Sequence, residues 1–440
     1  MSKKTNRRNF LKYAGGAVAA AAIAATGYYA YDSMKPSEGP TPSPTTPAKN
    51  VVKIGTTKPL TGTEAVLGRN EWEGTQLWLD MVKEQGGIRG GDGNTYDVEL
   101  FFYDDECKPD NVARLFEKLI TDDKVDYLLG PIYGPLGMAS VPVVMRYGIL
   151  EFYGTSSYDP EIWEPEYGDY ISHTITNGPA YLHGMIDMIL DYVVPEIDSD
   201  ANSFAIIHGD DIFRYVCGTG AYQYAQDRGC NIVHYEQYST EMASIDLSPV
   251  LTKVKAANPK ILLMGAAYPD AVLSVKQMVD LDIPISLMFP GTGAVTPEWY
   301  DAVKPYGDGI CTTTQWEPGV IWPVDYGPSH DEYVSRYTSK YGREPEYCSA
   351  IGFTQALALQ HAMENCQEPT NADAMREYIH STGNEFNSFY GHYKVDEHGV
   401  QVGHEMVLMQ WQDGKKMCVW PNKVANSEVI YPMTPWKERT

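Results

Sequence analysis

The sequence predicts an α/β protein made of two doubly wound, parallel-sheet lobes, and three observations carry that prediction. From about residue 51, short apolar runs alternate with stretches whose apolar residues recur at helical spacing. The alternation lapses after 153 and restarts near 180. About 390 residues follow position 50, room for two or three domains of ~100–200 residues each. Strand–helix units of this size imply parallel strands with helices on both faces, since each crossover helix returns over the sheet.

Taken in order, VVKIG at 51–55 is an apolar strand. Residues 71–84 form a helix, with Trp72, Leu77, Trp78 and Met81 at helical spacing and Gly86-Gly87 as its stop. A strand spans 96–103 and a helix 111–121, whose inner face is Val112, Leu115, Phe116 and Leu119. Residues 125–129 are a buried strand ended by Gly130-Pro131, followed by a helix at 138–147 and a strand at 149–153. The second series places helices at 180–194, 215–228, 249–256 and 271–281, and strands at 204–207, 232–235 and 261–264. Helices at 330–341 and 349–365 come next. The tail then changes character, with short strands at 391–396, 405–411 and 417–420 joined by turns such as Asp413-Gly414.

Ahead of the body stand two segments that do not belong to the fold. NRRNFLK at 6–12 sets an arginine pair before an uncharged, alanine-rich run at 13–31. This resembles a twin-arginine export signal, which implies handling by the Tat translocon and a folded body in the periplasm or on the outer cell surface. Residues 1–31 are therefore read as signal or anchor. Ala22-Ile23-Ala24 offers a small-residue cleavage site. Left uncleaved, the run approaches the ~20 residues that span a bilayer and would tether the protein. Residues 32–50 are a linker, and PSEGPTPSPTTPAKN at 36–50 has no large apolar side chain to bury.

Composition narrows the function. The formal charge of −24 argues against nucleic acid as a partner, which needs a basic surface. Seven cysteines contain no Cys-x-x-Cys pair, and their odd number leaves at least one thiol without an internal partner. A helix between Cys217 and Cys230 would hold them ~20 Å apart, beyond the ~7 Å a disulfide allows between Cα atoms. Catalytic motifs fail in turn. Gly154-Thr155-Ser156-Ser157-Tyr158 lacks the closing glycine of a nucleophile elbow, and His404-Glu405 lacks the second histidine of a helical zinc site. The chain is expected to be no enzyme and to need no cofactor.

Several motifs in a fixed order are more specific than any one of them. PLTG at 59–62, Gly68, Gly74 and GGIRG at 86–90 open the body. Leu129-Gly130-Pro131 follows, and Gly148-Ile149-Leu150 leads through Gly154-Thr155-Ser156-Ser157 to Asp159-Pro160. Gly391, Asp396 and Gly399, then QWQDGK at 410–415 and Tyr431-Pro432, close it. Together these resemble the branched-chain amino-acid type of ABC-transporter solute-binding protein, over nearly the whole body. The resemblance implies a type I periplasmic-binding-protein fold whose lobes are joined by three crossings, near 172–176, 311–315 and 387–391. It implies lobe one at 51–173 and 315–387, and lobe two at 174–314 and 388–440. It also implies capture of a small polar solute, an amino acid of branched-chain or related type, for an ABC permease and its ATPase. A sensory receptor for an amide, urea or aromatic acid is the alternative, and an exported hydrolase the more distant one.

Ligands of open α/β sheets bind outside the carboxyl ends of the strands. The segment 130–135 is such an end, with a helix N-terminus behind it suited to a carboxylate. Tyr133 and Gly134 are therefore expected at the ligand, with Ser156 and Ser157 at the next strand end offering hydroxyls. The resemblance adds Leu67 from lobe one and Phe213, Tyr268 and Thr292 from lobe two. Arg69 is a candidate for an anionic group. In leucine-binding members an acid in the loop corresponding to 291–293 meets the ligand's ammonium. None stands there in this chain, and Asp270 or Asp210 is the expected substitute.

Overall fold

Nine residues of β1 (Asn50–Lys58) pair in parallel with β3 (Thr95–Asp104) from Asn50 opposite Tyr96 to Lys58 opposite Asp104. The strand outlasts the apolar run VVKIG because its polar end is satisfied inside the sheet; the Thr56 hydroxyl donates to the Leu129 carbonyl at 2.8 Å. The computed structural model describes residues 50–154, 169–240 and 245–439. The expected signal and most of the linker lie outside them.

The first sheet runs β2–β3–β1–β4–β5–β6, with β2 (Ile88–Arg89), β4 (Tyr127–Leu129), β5 (Glu151–Tyr153) and β6 (Ile171–His173). All its pairings are parallel except that of β2 with β3. Its helices are α1 (Ala65–Glu84), α2 (Pro109–Lys118) and α3 (Gly134–Tyr147). α1 begins six residues before the expected start, and α3 four before it. In α3 the proline after Gly134 stands at the first turn, where a missing N–H costs nothing.

The second sheet is wholly parallel in the order β10–β9–β7–β8. Its strands are β7 (Phe204–Gly209), β8 (Ile232–Tyr238), β9 (Ile261–Gly265) and β10 (Leu287–Phe289). Around it lie α4 (His183–Met188), α5 (Ile212–Asp227), α6 (Ser248–Ala257), α7 (Tyr268–Asp280) and α8 (Pro297–Val303). An antiparallel sheet of β11 (Cys311–Thr314), β14 (Val407–Gln412) and β15 (Lys415–Trp420) joins this half. The helices α9 (His330–Tyr341), α10 (Tyr347–Asn365) and α11 (Ala372–Thr382) and the hairpin β12 (Phe386–Ser388)–β13 (Gly391–Tyr393) complete the chain.

Two sets of buried apolar residues follow the two parallel sheets. One gathers β1, α1, α9 and α10 around Trp78, Trp316 and Tyr333. The other surrounds β7 and β9. The chain passes from the first core at Ile175 to the second at Tyr181, returns between Cys311 and Trp316, and passes again between Val395 and Met406. The expected crossing at 387–391 falls within the hairpin of β12 and β13, whose turn is Phe389-Tyr390. Phe389, Tyr390 and Tyr393 bury their rings in the first core, and that holds the chain there.

α1 and α10 pack backbone to backbone at two glycines. A Cβ on Gly74 would fall well inside 3.0 Å of the Ser349 carbonyl oxygen, and one on Gly352 equally close to that of Glu71. The Thr75 hydroxyl donates to the Gly352 carbonyl at 3.1 Å across the contact. All seven cysteines are free thiols. Among the described residues no helix is long and apolar enough to cross a membrane.

Candidate functional site

A cavity of about 620 Å³ opens at the carboxyl ends of the parallel strands of both sheets. From the first sheet come Ile132 to Pro135, after β4, and Tyr153, which ends β5. From the second come Asp211 to Arg214, after β7, Ala267, after β9, and Thr292, after β10. The passages between the cores add Ile175, Thr313, Thr314, Gln315 and Met406, and α10 adds Tyr347 and Ile351. The wall is mainly apolar and aromatic; Tyr181 and Phe213 meet edge to face at 5.6 Å between ring centroids.

The lip at Tyr133 is strained. Its φ of 78° lies in the left-handed region, uncommon for a bulky residue. Its carbonyl accepts from Leu136 N and Gly137 N at 3.0 and 3.1 Å, opening α3. A Cβ on Gly134 would meet nothing within 4 Å, so the helix start is bare toward open space.

Across the cavity, Asp211 caps α5 by accepting from Phe213 N and Arg214 N at 3.2 and 3.3 Å. Its other oxygen accepts from Arg214 Nη1 at 2.6 Å. Arg214 also forms a two-pronged pair with Asp270, through Nε at 2.9 Å and Nη2 at 2.8 Å. Burial opposes the charge on Arg214, but the two carboxylates more than offset it and raise its pKa. Asp270, fully buried, also accepts from the Tyr238 hydroxyl.

Of the residues expected at the ligand, Leu67, Tyr133, Gly134, Phe213 and Thr292 line this cavity. Ser156 and Ser157 lie outside the described residues. Arg69 is exposed on α1 and is not in the lining. Tyr268 is also exposed and outside the lining, its hydroxyl 3.5 Å from the Glu298 carbonyl. Asp270 does not reach the cavity, because Arg214 and Tyr238 occupy its oxygens. Asp210 is engaged by Thr240, through N at 2.9 Å and Oγ1 at 2.5 Å. Sequence reasoning missed Asp211, Arg214, Tyr153, Tyr181, Gln315 and Tyr347. The strand-end rule could have reached Asp211, two residues past β7, and the expected crossing at 311–315 contains Gln315. Tyr347 carries no signal in sequence.

The last residue of β1, the first of β5 and the first half of α1 contribute buried ionisable groups. Lys58 Nζ lies 2.8 Å from Glu71 Oε1, with both side chains fully buried. Nζ also donates to the Gly130 carbonyl and, at 3.3 Å, to Gln355 Oε1. Burial pushes the Glu71 carboxyl up to about 7 against the pull of Lys58. Burial likewise pushes Glu151, which accepts from the Ser140 hydroxyl at 2.9 Å, up to about 8.

Both acids hold a proton more tightly folded than unfolded. Their stabilising effect is complete below the unfolded value of 4.5 and is lost as pH rises through 7 and 8. Burial lowers His173 to about 3 and His183 and His404 to about 4. Those histidines oppose the acids only below 6.5, their ordinary value. Between pH 6.5 and 8, stability is therefore expected to fall by about 2 kcal/mol, at ~1.4 kcal/mol per pKa unit. Glu151→Gln should flatten most of that slope. Urea melts at the two pH values test this, and stability rising with pH would contradict it.

The sequence matches the family model described as periplasmic binding protein over residues 51–416. Residues 4–24 match the signal sequence of the twin-arginine translocation pathway. The chain is similar to "Leu/Ile/Val-binding protein homolog 7" of Brucella abortus, with 22% identity over 408 residues, 88% of this chain and 95% of that protein. Among solved structures it is similar to a putative branched-chain amino acid ABC transporter protein from Silicibacter pomeroyi, with TM-score 0.73 and 19% identity over 88% of this chain and 100% of that one. A leucine-binding protein from Thermotoga maritima matches with TM-score 0.64 and 21% identity over 83% of this chain and 97% of that one.

Proposed function

We propose that this chain, which belongs to the periplasmic binding protein family, is the solute receptor of an ABC transporter. Exported with its twin-arginine signal, it captures one small organic solute and delivers it unchanged to a permease driven by an ATPase. The observation that carries this reading is a cavity at the strand ends of both parallel sheets. A doubly wound sheet exposes its binding crevice at those ends, and two sheets facing one cavity can close on what it holds. The cavity volume of about 620 Å³ falls in the ~300–1,000 Å³ range of small-molecule sites.

On this reading lobe one comprises 51–173 and 315 to about 395, and lobe two comprises 174–314 and the tail; the change from first-core to second-core residues between Val395 and Met406 supports the last boundary. Leu67, Tyr133 and Gly134 contact the solute from one side, and Phe213 and Thr292 from the other. Ser156 and Ser157 are proposed to join the first group. The solute is a branched-chain amino acid or a related compact molecule, as the names of the relatives suggest. No chemistry is done on it.

A solute that binds only the folded protein at 100 times its Kd adds about 2.7 kcal/mol of stability. A matching solute is thus expected to raise the melting temperature by a few degrees. Differential scanning fluorimetry with amino acids, amides and aromatic acids tests the reading, and no shift with any of them would contradict it.

A further inference from the structure

Lys58, Glu71 and Gln355 are fully buried, and together they join β1, α1 and α10 to the strands β4 and β5. An ammonium has three hydrogens to donate, and Lys58 spends all three. They go to Glu71 Oε1 at 2.8 Å, to Gln355 Oε1 at 3.3 Å and to the Gly130 carbonyl. Gln355 turns its Nε2 to the Gly130 carbonyl at 3.2 Å and to the Phe152 carbonyl. Its orientation is fixed, since Lys58 can only donate and the carbonyls only accept. Gly130 N also donates to the Phe152 carbonyl, at 2.7 Å. Space is used up as well. A Cβ on Gly154 would fall well inside 3.0 Å of Glu71 Oε1 and 3.0 Å from Gln355 Nε2.

Stability alone is a poor account of this network, because apolar residues of the same volume often match or exceed a buried ion pair. Its position is more telling. On four of the five elements it stands a turn or less from a residue that lines the cavity. Leu67 is four residues ahead of Glu71 on α1, and Ile351 four ahead of Gln355 on α10, so each pair shares a helix face. Tyr153 follows Phe152 directly, and Tyr133 stands three residues beyond Gly130. Tyr133 has the strained φ of 78°, and strain of that kind persists only where the surroundings fix the backbone. The chain leaves the sheet for Tyr133 at Gly130, whose carbonyl is held by two donors.

We propose that Lys58 and Gln355 are positioning residues of the binding site. Neither lines the cavity. By holding the Gly130 and Phe152 carbonyls they set the segments that carry Tyr133 and Tyr153 into it, and Glu71 balances the charge this requires. The wall from the first sheet is thereby fixed before a solute arrives, which lowers the ordering cost of binding. This rests on the cavity being the solute site.

The test pairs two measurements on the exported body. Gln355→Met keeps the length of the side chain and removes its donor. Hydrogen–deuterium exchange without solute should then quicken about ten-fold in peptides covering Gly130, Leu136 and Gly137, whose amides bond to the Phe152 and Tyr133 carbonyls. Exchange in β7 and β9 should not change. Calorimetric titration with L-leucine, L-phenylalanine, acetamide and benzoate should show that a compound bound by the parent is bound about ten-fold more weakly by the variant. Ile379→Val, a core substitution on α11 outside the network, should lower the melting temperature and leave both readouts as in the parent. If Gln355→Met does not fold, Lys58→Met combined with Glu71→Gln takes the other donor from the Gly130 carbonyl without stranding a charge, and the same two changes are expected of it. Unchanged exchange in those peptides, unchanged affinity despite faster exchange, or an equal loss of affinity in Ile379→Val overturns the inference and leaves the receptor reading in place. Silence from all four compounds with the parent overturns both.

Discussion

Gly352→Leu is expected to cost about 4 kcal/mol or more, near the extreme for one substitution, and to leave little folded protein at 37 °C. Leucine is a better helix former than glycine by about 0.8–1 kcal/mol, so propensity alone would predict stabilisation. Packing decides the sign. The new Cβ would lie well inside 3.0 Å of the Glu71 carbonyl oxygen, a backbone atom that cannot swing aside. Either α1 or α10 must move, and each carries much of the first core: Trp78 and Leu77 from one, Phe353, Leu357 and Leu359 from the other. A matched control is Gly319→Ala, whose Cβ would sit 3.7 Å from Asn426 Nδ2 and should change stability by no more than about 0.5 kcal/mol. Denaturant melts of the two variants compare them, and a Gly352→Leu protein as stable as the parent would refute the close helix contact.

Lys58→Met should cost up to about 1.4 kcal/mol more at pH 8 than at pH 5, because at pH 8 it strands the fully buried Glu71, whose carboxyl, already pushed up to about 7 beside Lys58, must then take up a proton one pH unit above that value. The substitution keeps the volume of the side chain but removes the ammonium from the Gly130 carbonyl and Gln355 as well. The cost should shrink as pH falls. With its carboxyl pushed up to about 7, Glu71 is mostly protonated at pH 5 in parent and variant alike, and little pairing remains to be lost. Adding Glu71→Gln to Lys58→Met should recover most of the stability at pH 8. A cost that is the same at pH 5 and pH 8 would mean that Lys58 matters through packing rather than charge.

The framework of the fold was legible where a strand was long enough to show a run or a helix long enough to show its face. β1, β7 and β9 were readable as apolar, β-branched segments, and α10 by its length. The three-residue strands β6, β10 and β12 were not, since three residues show no alternation and their pairing comes from neighbours far along the chain. α8 and α11 also escaped, and α3 starts on Gly134-Pro135, residues that read locally as a turn. In the site, motif order placed Tyr133, Gly134, Phe213 and Thr292 on the cavity. It misassigned Asp270, because whether an acid faces a cavity or a buried arginine depends on a partner 56 residues away. Arg69 was misplaced by helix phase: Gly68 and Asn70 beside it are buried, and it points outward. Asp211 and Gln315 line the cavity through strand ends and a passage between the cores, a placement that depends on residues far along the chain.

Native mass spectrometry of the exported body, after incubation with a mixture of the protein L-amino acids and exchange into volatile buffer, shows whether the cavity at the strand ends holds one small solute. A 1:1 adduct with the mass of an apolar amino acid, lost on denaturation, is expected. A spectrum showing only the bare polypeptide would overturn the receptor reading.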